Sequence, residues 1–146
     1  MRKLSTSILT SIALILGFAA SASDDPAAAR DALMNDDVRG AAKPIGAMFN
    51  GEAEYDWAIV LESLETFAMA SEKFGDMFPE GSEGGRAAAA IWEDREGFNA
   101  AMKKWQEATA AAIEAAPQTL DEAKGTVGPV FGTCKNCHDT YRVEED

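Results

Sequence analysis

Apolar residues recur every three to four positions through four stretches of this 146-residue chain, and no stretch alternates as a half-buried strand would. Each stretch therefore reads as a helix with one apolar stripe, and the four stripes have to be buried against one another. The first helix is expected over about 26–49, where Asp25 can cap it and Pro26 suits its first position. Its stripe is Met34, Val38, Ala41, Ile45 and Met48, and Pro44 predicts a kink because it removes a backbone donor. The second is expected over about 55–77, with Trp57, Leu61, Leu64, Ala68, Ser71 and Phe78 on its stripe. The breaker segment Pro79-Glu80-Gly81-Ser82-Glu83-Gly84-Gly85 follows. The third, over about 88–116, carries Ile91, Phe98, Met102, Trp105, Thr109 and Ala112 and stops at Pro117. The fourth, over about 120–143, opens on a Thr119/Glu122 capping box. Its stripe is Leu120, Ala123, Val127, Phe131, Cys134, His138 and Tyr141, and Gly128-Pro129 predicts a bend. With mostly short links, this pattern predicts an all-α, antiparallel, up-down-up-down four-helix bundle whose core can hold a cofactor.

The fourth stretch contains Cys134-Lys135-Asn136-Cys137-His138, a C-x-x-C-H sequence of the kind that attaches haem c. The two thiols add across the haem vinyl groups to give thioethers, and the adjacent imidazole supplies an iron ligand. His138 is the only histidine, and Cys134 and Cys137 are the only cysteines. A thioredoxin-like redox pair would follow a strand, and none is indicated. A structural zinc site wants four Cys or His ligands, and only three exist. On a helix these residues stand at i, i+3 and i+4, so they share one face, the inward one. One covalent haem c, built into the core near the end of the last helix, is the expected cofactor, so the fold is a bundle with covalently attached haem.

The first residues read as an export signal. Arg2 and Lys3 precede an apolar run from Ile8 to Ala20, and Ala20-Ser21-Ala22 is an A-x-A cleavage site. The expected organisation is a signal peptide, 1–22, and one haem domain, 23–146, in the periplasm. The run falls short of the roughly 20 residues a membrane span needs. Of 13 basic residues, Arg2 and Lys3 leave with the signal; the remaining 11 face 25 acidic ones, a formal charge of −14. Such a surface argues against nucleic acid or anionic membrane as a partner and favours redox proteins with a basic docking surface.

In up-down-up-down topology the start of helix one lies beside the end of helix four. His138 stands ~8 Å from that end of the bundle and Met34 ~12 Å, at about 1.5 Å per residue. Met34 is on the core stripe and level with His138, so it is the candidate second iron ligand. Met69 is also level but sits beside its stripe. Met77 is too near a helix end, Met102 near mid-helix and Met48 at the opposite end.

The segment Cys134-x-x-Cys137-His138-Asp139-x-Tyr141-Arg142 resembles the C-terminus of the class II c-type cytochromes, the cytochrome c prime family. Gly51-Glu52-Ala53-Glu54-Tyr55-Asp56, the Phe78 to Gly85 segment and Ile91-Trp92 extend the likeness, in order, over the whole mature chain. The resemblance implies an antiparallel four-helix bundle with one haem. His138 would be the proximal ligand, Cys134 and Cys137 the thioether positions, and Arg142 would lie close to that histidine. It also implies that Phe78 and Phe98 line the haem pocket. Members divide by the distal residue on helix one. High-spin members place an apolar side chain there, four residues after an arginine that contacts a haem propionate, and bind nitric oxide or carbon monoxide at five-coordinate iron. Low-spin members place methionine there and transfer electrons. Arg30 followed by Met34 resembles the low-spin branch, and Arg30 would inherit the propionate contact.

Helix one holds one residue more between Met34 and Gly51 than this family pattern. A bulge near Pro44 would absorb it and keep Met34 in place; a shifted register would bring Leu33 or Asn35 to the iron. The first expectation is therefore an electron carrier with His138/Met34 ligation, and the alternative a five-coordinate gas-binding protein. An enzyme is not expected, since there is no second histidine and no acid–base pair at the iron level. Relatives pair through helix one; for a homodimer here, the charge of −14 requires apolar paired faces.

Overall fold

The computed structural model describes residues 25–143. The expected export segment, 1–22, lies outside the described residues, as does the tail after Val143. Four long helices form the described part. The first, α1, runs as an α-helix over Pro26–Ala32, a π-helical turn over Leu33–Val38 and an α-helix over Arg39–Phe49. The second, α2, is Trp57–Phe74, continued by a 3-10 turn, Gly75–Met77. The third, α3, is a short piece, Ala90–Glu93, followed by Arg95–Ala115. The fourth, α4, comprises Leu120–Thr126 and Gly128–Tyr141.

Caps explain most of these limits. Asp25 accepts a hydrogen bond from Ala27 N–H at 2.9 Å, and Pro26 takes the first helical position. Asp56 does the same for α2 through Ala58 N–H at 2.8 Å. Thr119 accepts from Glu122 N–H at 3.3 Å, whereas the Glu122 carboxylate reaches Gln118 N–H, at 2.8 Å, one residue before the expected partner. The break in α3 was not expected. It falls at Asp94, whose carboxylate caps the longer piece by accepting from Gly97 N–H at 3.0 Å.

The π-turn corrects the expectation for α1. A π-turn holds one residue more than an α-turn, and here Arg39 N–H donates to the carbonyl of Met34, five residues back. The extra residue is thus absorbed over 33–38 and not near Pro44, which lies inside a continuous α-helical piece. Both flanks are held. Arg30 is buried upstream, and Ile45 and Met48 are buried downstream. Between them Asn35, Asp36 and Asp37 are exposed and are weak helix formers, so the irregular turn forms there at least cost.

The buried face of α2 also differs from the expected stripe. Val60, Ser63, Leu64, Phe67, Ala70 and Ser71 are buried, while Leu61 and Ala68 are only half-buried. The face turns to seat Phe67, the largest fully buried side chain of the helix. Two aromatic groups then build much of the core. Phe78 packs edge-on against Phe74 and Phe98 with centroids 5.0 and 4.9 Å away, and Phe98 packs against Tyr141 at 5.4 Å. Phe131 meets Phe67 at 6.3 Å and Phe49 at 6.2 Å. Where the four helices converge around these rings, the bundle is hollow.

Beyond α4 the chain pairs with the segment before α3. Ala87 and Arg142 form an antiparallel bridge, flanked by Ala88 N–H to Tyr141 O and Val143 N–H to Arg86 O, both 3.0 Å. No sequence pattern announces this contact. It fixes Arg86 beside the end of the last helix.

Candidate functional site

The hollow is a cavity of about 650 Å³, within the usual range for a small-molecule site. Cys134, Cys137 and His138 all lie on its wall, as their i, i+3, i+4 spacing on α4 requires. Met34, Arg30, Arg142, Phe78 and Phe98 line the same cavity, so the eight expected site residues converge on one space. Of the two alternatives to Met34, Leu33 is off the wall. Asn35 is on it, but is exposed and donates to Asp31 Oδ1 at 2.9 Å. Met69 is 57 % exposed and away from the cavity. Met102, expected too deep in the bundle, does reach the wall and is buried.

Within α1 the cavity face runs through Met34, Val38 and Ala42, and not through Ala41 as the expected stripe had it. Eight α-helical residues would overshoot two full turns by about 80°. The π-turn takes back roughly one residue of rotation and returns Ala42 to the face of Met34.

The chemistry of the three α4 groups follows from their surroundings. Burial lowers the pKa of His138, and Arg142 and Arg86 lower it further against a smaller opposing effect of Asp139. The imidazole is thus held neutral, the form that offers a lone pair to a metal. Burial raises both thiols, Cys137 to about 11.

Cations on the wall are all arginines. Among the described residues, Arg30, Arg39, Arg86 and Arg142 line the cavity and no lysine does. Arginine keeps its charge in an apolar wall where lysine would tend to lose it. In an acidic chain this marks a place for an anionic ligand. Arg39 and Arg86 were missed in the sequence, because their positions depend on the π-turn and on the Ala87–Arg142 bridge. Arg30 is only 5 % exposed. Its Nη1 donates to Met77 O at 2.9 Å and Ser82 Oγ at 3.4 Å, and its Nη2 to Ser82 O at 2.9 Å and Gly84 O at 3.2 Å. The guanidinium also lies 4.7 Å from the Phe78 ring centroid and 6.0 Å from that of Trp92. Burial lowers its pKa, with Asp25 opposing.

A four-helix bundle hollowed at one end, with two thiols, a neutral imidazole and arginines around an aromatic-walled cavity, has the donor set of a c-type haem protein. The Cytochrome C' family profile matches residues 25–142. A cytochrome c' of Rhodopseudomonas palustris is 42 % identical over 135 residues, covering 88 % of both chains. A cytochrome c-556 of Agrobacterium tumefaciens is 33 % identical over 119 residues, covering 81 % of this chain and 94 % of that one. Among solved structures, the cytochrome c' from Rhodopseudomonas palustris superposes with a TM-score of 0.78 at 37 % identity, covering 84 % of this chain and 98 % of that one. The nitric oxide complex of a mutant cytochrome c prime from Alcaligenes xylosoxidans superposes with a TM-score of 0.68 at 28 % identity, over 82 % and 94 %. The chain belongs to the cytochrome c' family, the class II c-type cytochromes, whose cofactor is covalently bound haem c. The residues present fit that group. The thiols and imidazole share a wall, the rings offer an apolar slot, and the arginines suit two carboxylates.

Proposed function

We propose that the protein is a periplasmic electron carrier with one haem c, attached through Cys134 and Cys137, with His138 and Met34 as axial iron ligands. The observation that carries this reading is the place of Met34, which lines the cavity while Leu33 does not. Two axial side chains would leave the coordination sphere unchanged between oxidation states, which suits rapid electron exchange. The haem supplies the one-electron couple; the chain sets its potential. A methionine ligand stabilises the ferrous form, and Arg86 and Arg142 near the imidazole act in the same direction. Phe78 and Phe98 exclude water from the slot, and Arg39, Arg86 and Arg142 meet the carboxylates, whereas the expected propionate contact of Arg30 competes with its four bonds to Met77, Ser82 and Gly84.

Export by residues 1–22, leaving domain 23–146, places the carrier where haem c is attached in bacteria. Among the described residues no helix is long and apolar enough to cross a membrane. The excess of acidic residues suits a redox partner with a basic docking face. A homodimer would bury apolar faces of α1.

A second reading is favoured by the relatives. The 42 % identical protein bears the name cytochrome c', and one superposed structure is a nitric oxide complex. Under this reading Met34 would stand away from the iron, and His138 would be the one protein ligand, leaving a position open to nitric oxide or carbon monoxide.

Met34→Leu in the haem-loaded protein separates the two. Loss of a methionine–iron charge-transfer band, conversion to a high-spin spectrum and new carbon monoxide binding are expected, with Met102→Leu unchanged. Identical spectra for wild type and Met34→Leu would overturn the assignment.

A further inference from the structure

The π-turn in α1 poses a question of register. A helix with one residue too many can shed the turn by letting its shorter end slide. If Leu33–Val38 became α-helical, the piece before it would move outward by about 1.5 Å and rotate by about 100°. Each upstream residue would leave its place to the next one along, and Asn35 would take the place of Met34. That upstream piece, Pro26–Ala32, is only 7 residues long and contains one buried side chain, Arg30. Something must hold it, because the rest of α1 is anchored by Ile45 and Met48.

We propose that Arg30 is the positioning residue that holds Met34 on the cavity face, by clasping the 77–84 segment and so trapping the extra residue of α1 in the π-turn. The clasp has the geometry for this role. Four hydrogen bonds from two nitrogens, three of them to backbone carbonyls, fix the guanidinium along and around the helix axis. Phe78 and Trp92 close over it, and Ser82 Oγ is itself held by donation to Pro79 O at 2.8 Å. A slide of one residue would break all four bonds together. Arg30 stands four residues before Met34, so the restraint reaches it through a single α-turn. The π-turn itself supplies no such restraint, since Asn35, Asp36 and Asp37 are exposed. This role is distinct from contact with a haem propionate, which would act on the cofactor and leave the helix register alone.

The inference rests on Met34 as the residue meant to face the iron, but its test does not depend on ligation. Crystal structures of the haem-loaded Arg30→Gln variant should show α-helix through 33–38, with Asn35 in the place of Met34. A π-turn still at 33–38 with Met34 facing the cavity would overturn the proposal, whatever the iron's coordination. Deletion of Asp36 provides the second arm. It removes the spare residue, so upstream and downstream faces keep their places with no π-turn. If wild type shows the methionine–iron band, Arg30→Gln should lose it, and Arg30→Gln combined with deletion of Asp36 should regain it. A double variant that stays as defective as Arg30→Gln means that Arg30 acts on the cofactor and not on the register. If wild type has no such band, Met34 ligation fails, and the crystallographic arm alone decides the register.

Discussion

Gly97 is the position where the packing at the end of the last helix leaves least room. A methyl group there would lie 2.0 Å from Asp94 Oδ2 and 2.5 Å from the Tyr141 hydroxyl oxygen. The carboxylate cannot simply step aside, because it accepts from Gly97 N–H at 3.0 Å on one oxygen and from Tyr141 O–H at 3.1 Å on the other. Gly97→Ala therefore displaces a helix cap, worth about 1 kcal/mol, and a partly buried hydrogen bond, worth about another 1 kcal/mol. Up to about 1 kcal/mol returns from the better helix propensity of alanine. The net loss is about 1–2 kcal/mol, or roughly 3–10 °C in Tm for a domain of this size. Thermal unfolding of the haem-loaded protein followed by circular dichroism measures it. Tyr141→Phe and the double variant complete a cycle. If the methyl acts by breaking the Asp94–Tyr141 contact, the double variant costs clearly less than the two single losses combined. An unchanged Tm for Gly97→Ala, or fully additive losses, would refute this reasoning.

Burial raises the pKa of Tyr141, and its hydrogen bond to Asp94 raises it further. A raised folded-state value means stability that is complete below about pH 10 and lost as pH climbs through the folded value. Wild type should therefore lose Tm more steeply above pH 10 than Tyr141→Phe does, and parallel curves would count against it. Phe67→Ala should cost about 3–5 kcal/mol in denaturant titration, because this fully buried ring packs on Phe131 beside the cavity. Electron transfer with a basic redox partner should slow as ionic strength rises, and stopped-flow rates independent of salt would exclude electrostatic docking by the acidic surface.

The sequence was most legible where chemistry and periodicity coincide. The C-x-x-C-H spacing puts three functional groups on one face wherever the last helix lies, and the structure sets all three on the cavity wall. Asp25 and Thr119 announced two helix starts because capping is a local interaction. Tertiary events were less legible. The π-turn depends on Arg30 being tied to a loop some fifty residues away in sequence, and periodicity carries no trace of that tie. Burial of Phe67 goes with a face of α2 turned away from the stripe through Leu61 and Ala68, because packing against neighbouring helices decides the buried face. Arg86 reaches the cavity through an isolated backbone bridge to the end of α4 that no local pattern marks. The arginine wall is therefore a property of the assembled bundle.

Joint ligation of the iron by Met34 and His138 is what separates an electron carrier from a gas-binding protein here. Visible and near-infrared spectra of the haem-loaded wild-type protein, ferric and ferrous, with and without carbon monoxide, test it most directly. Ligation by both side chains predicts a low-spin ferric spectrum with a methionine–iron charge-transfer band and a ferrous spectrum little changed by carbon monoxide. A high-spin ferric spectrum without that band, and a ferrous form that takes carbon monoxide readily, would contradict it and establish an open distal site.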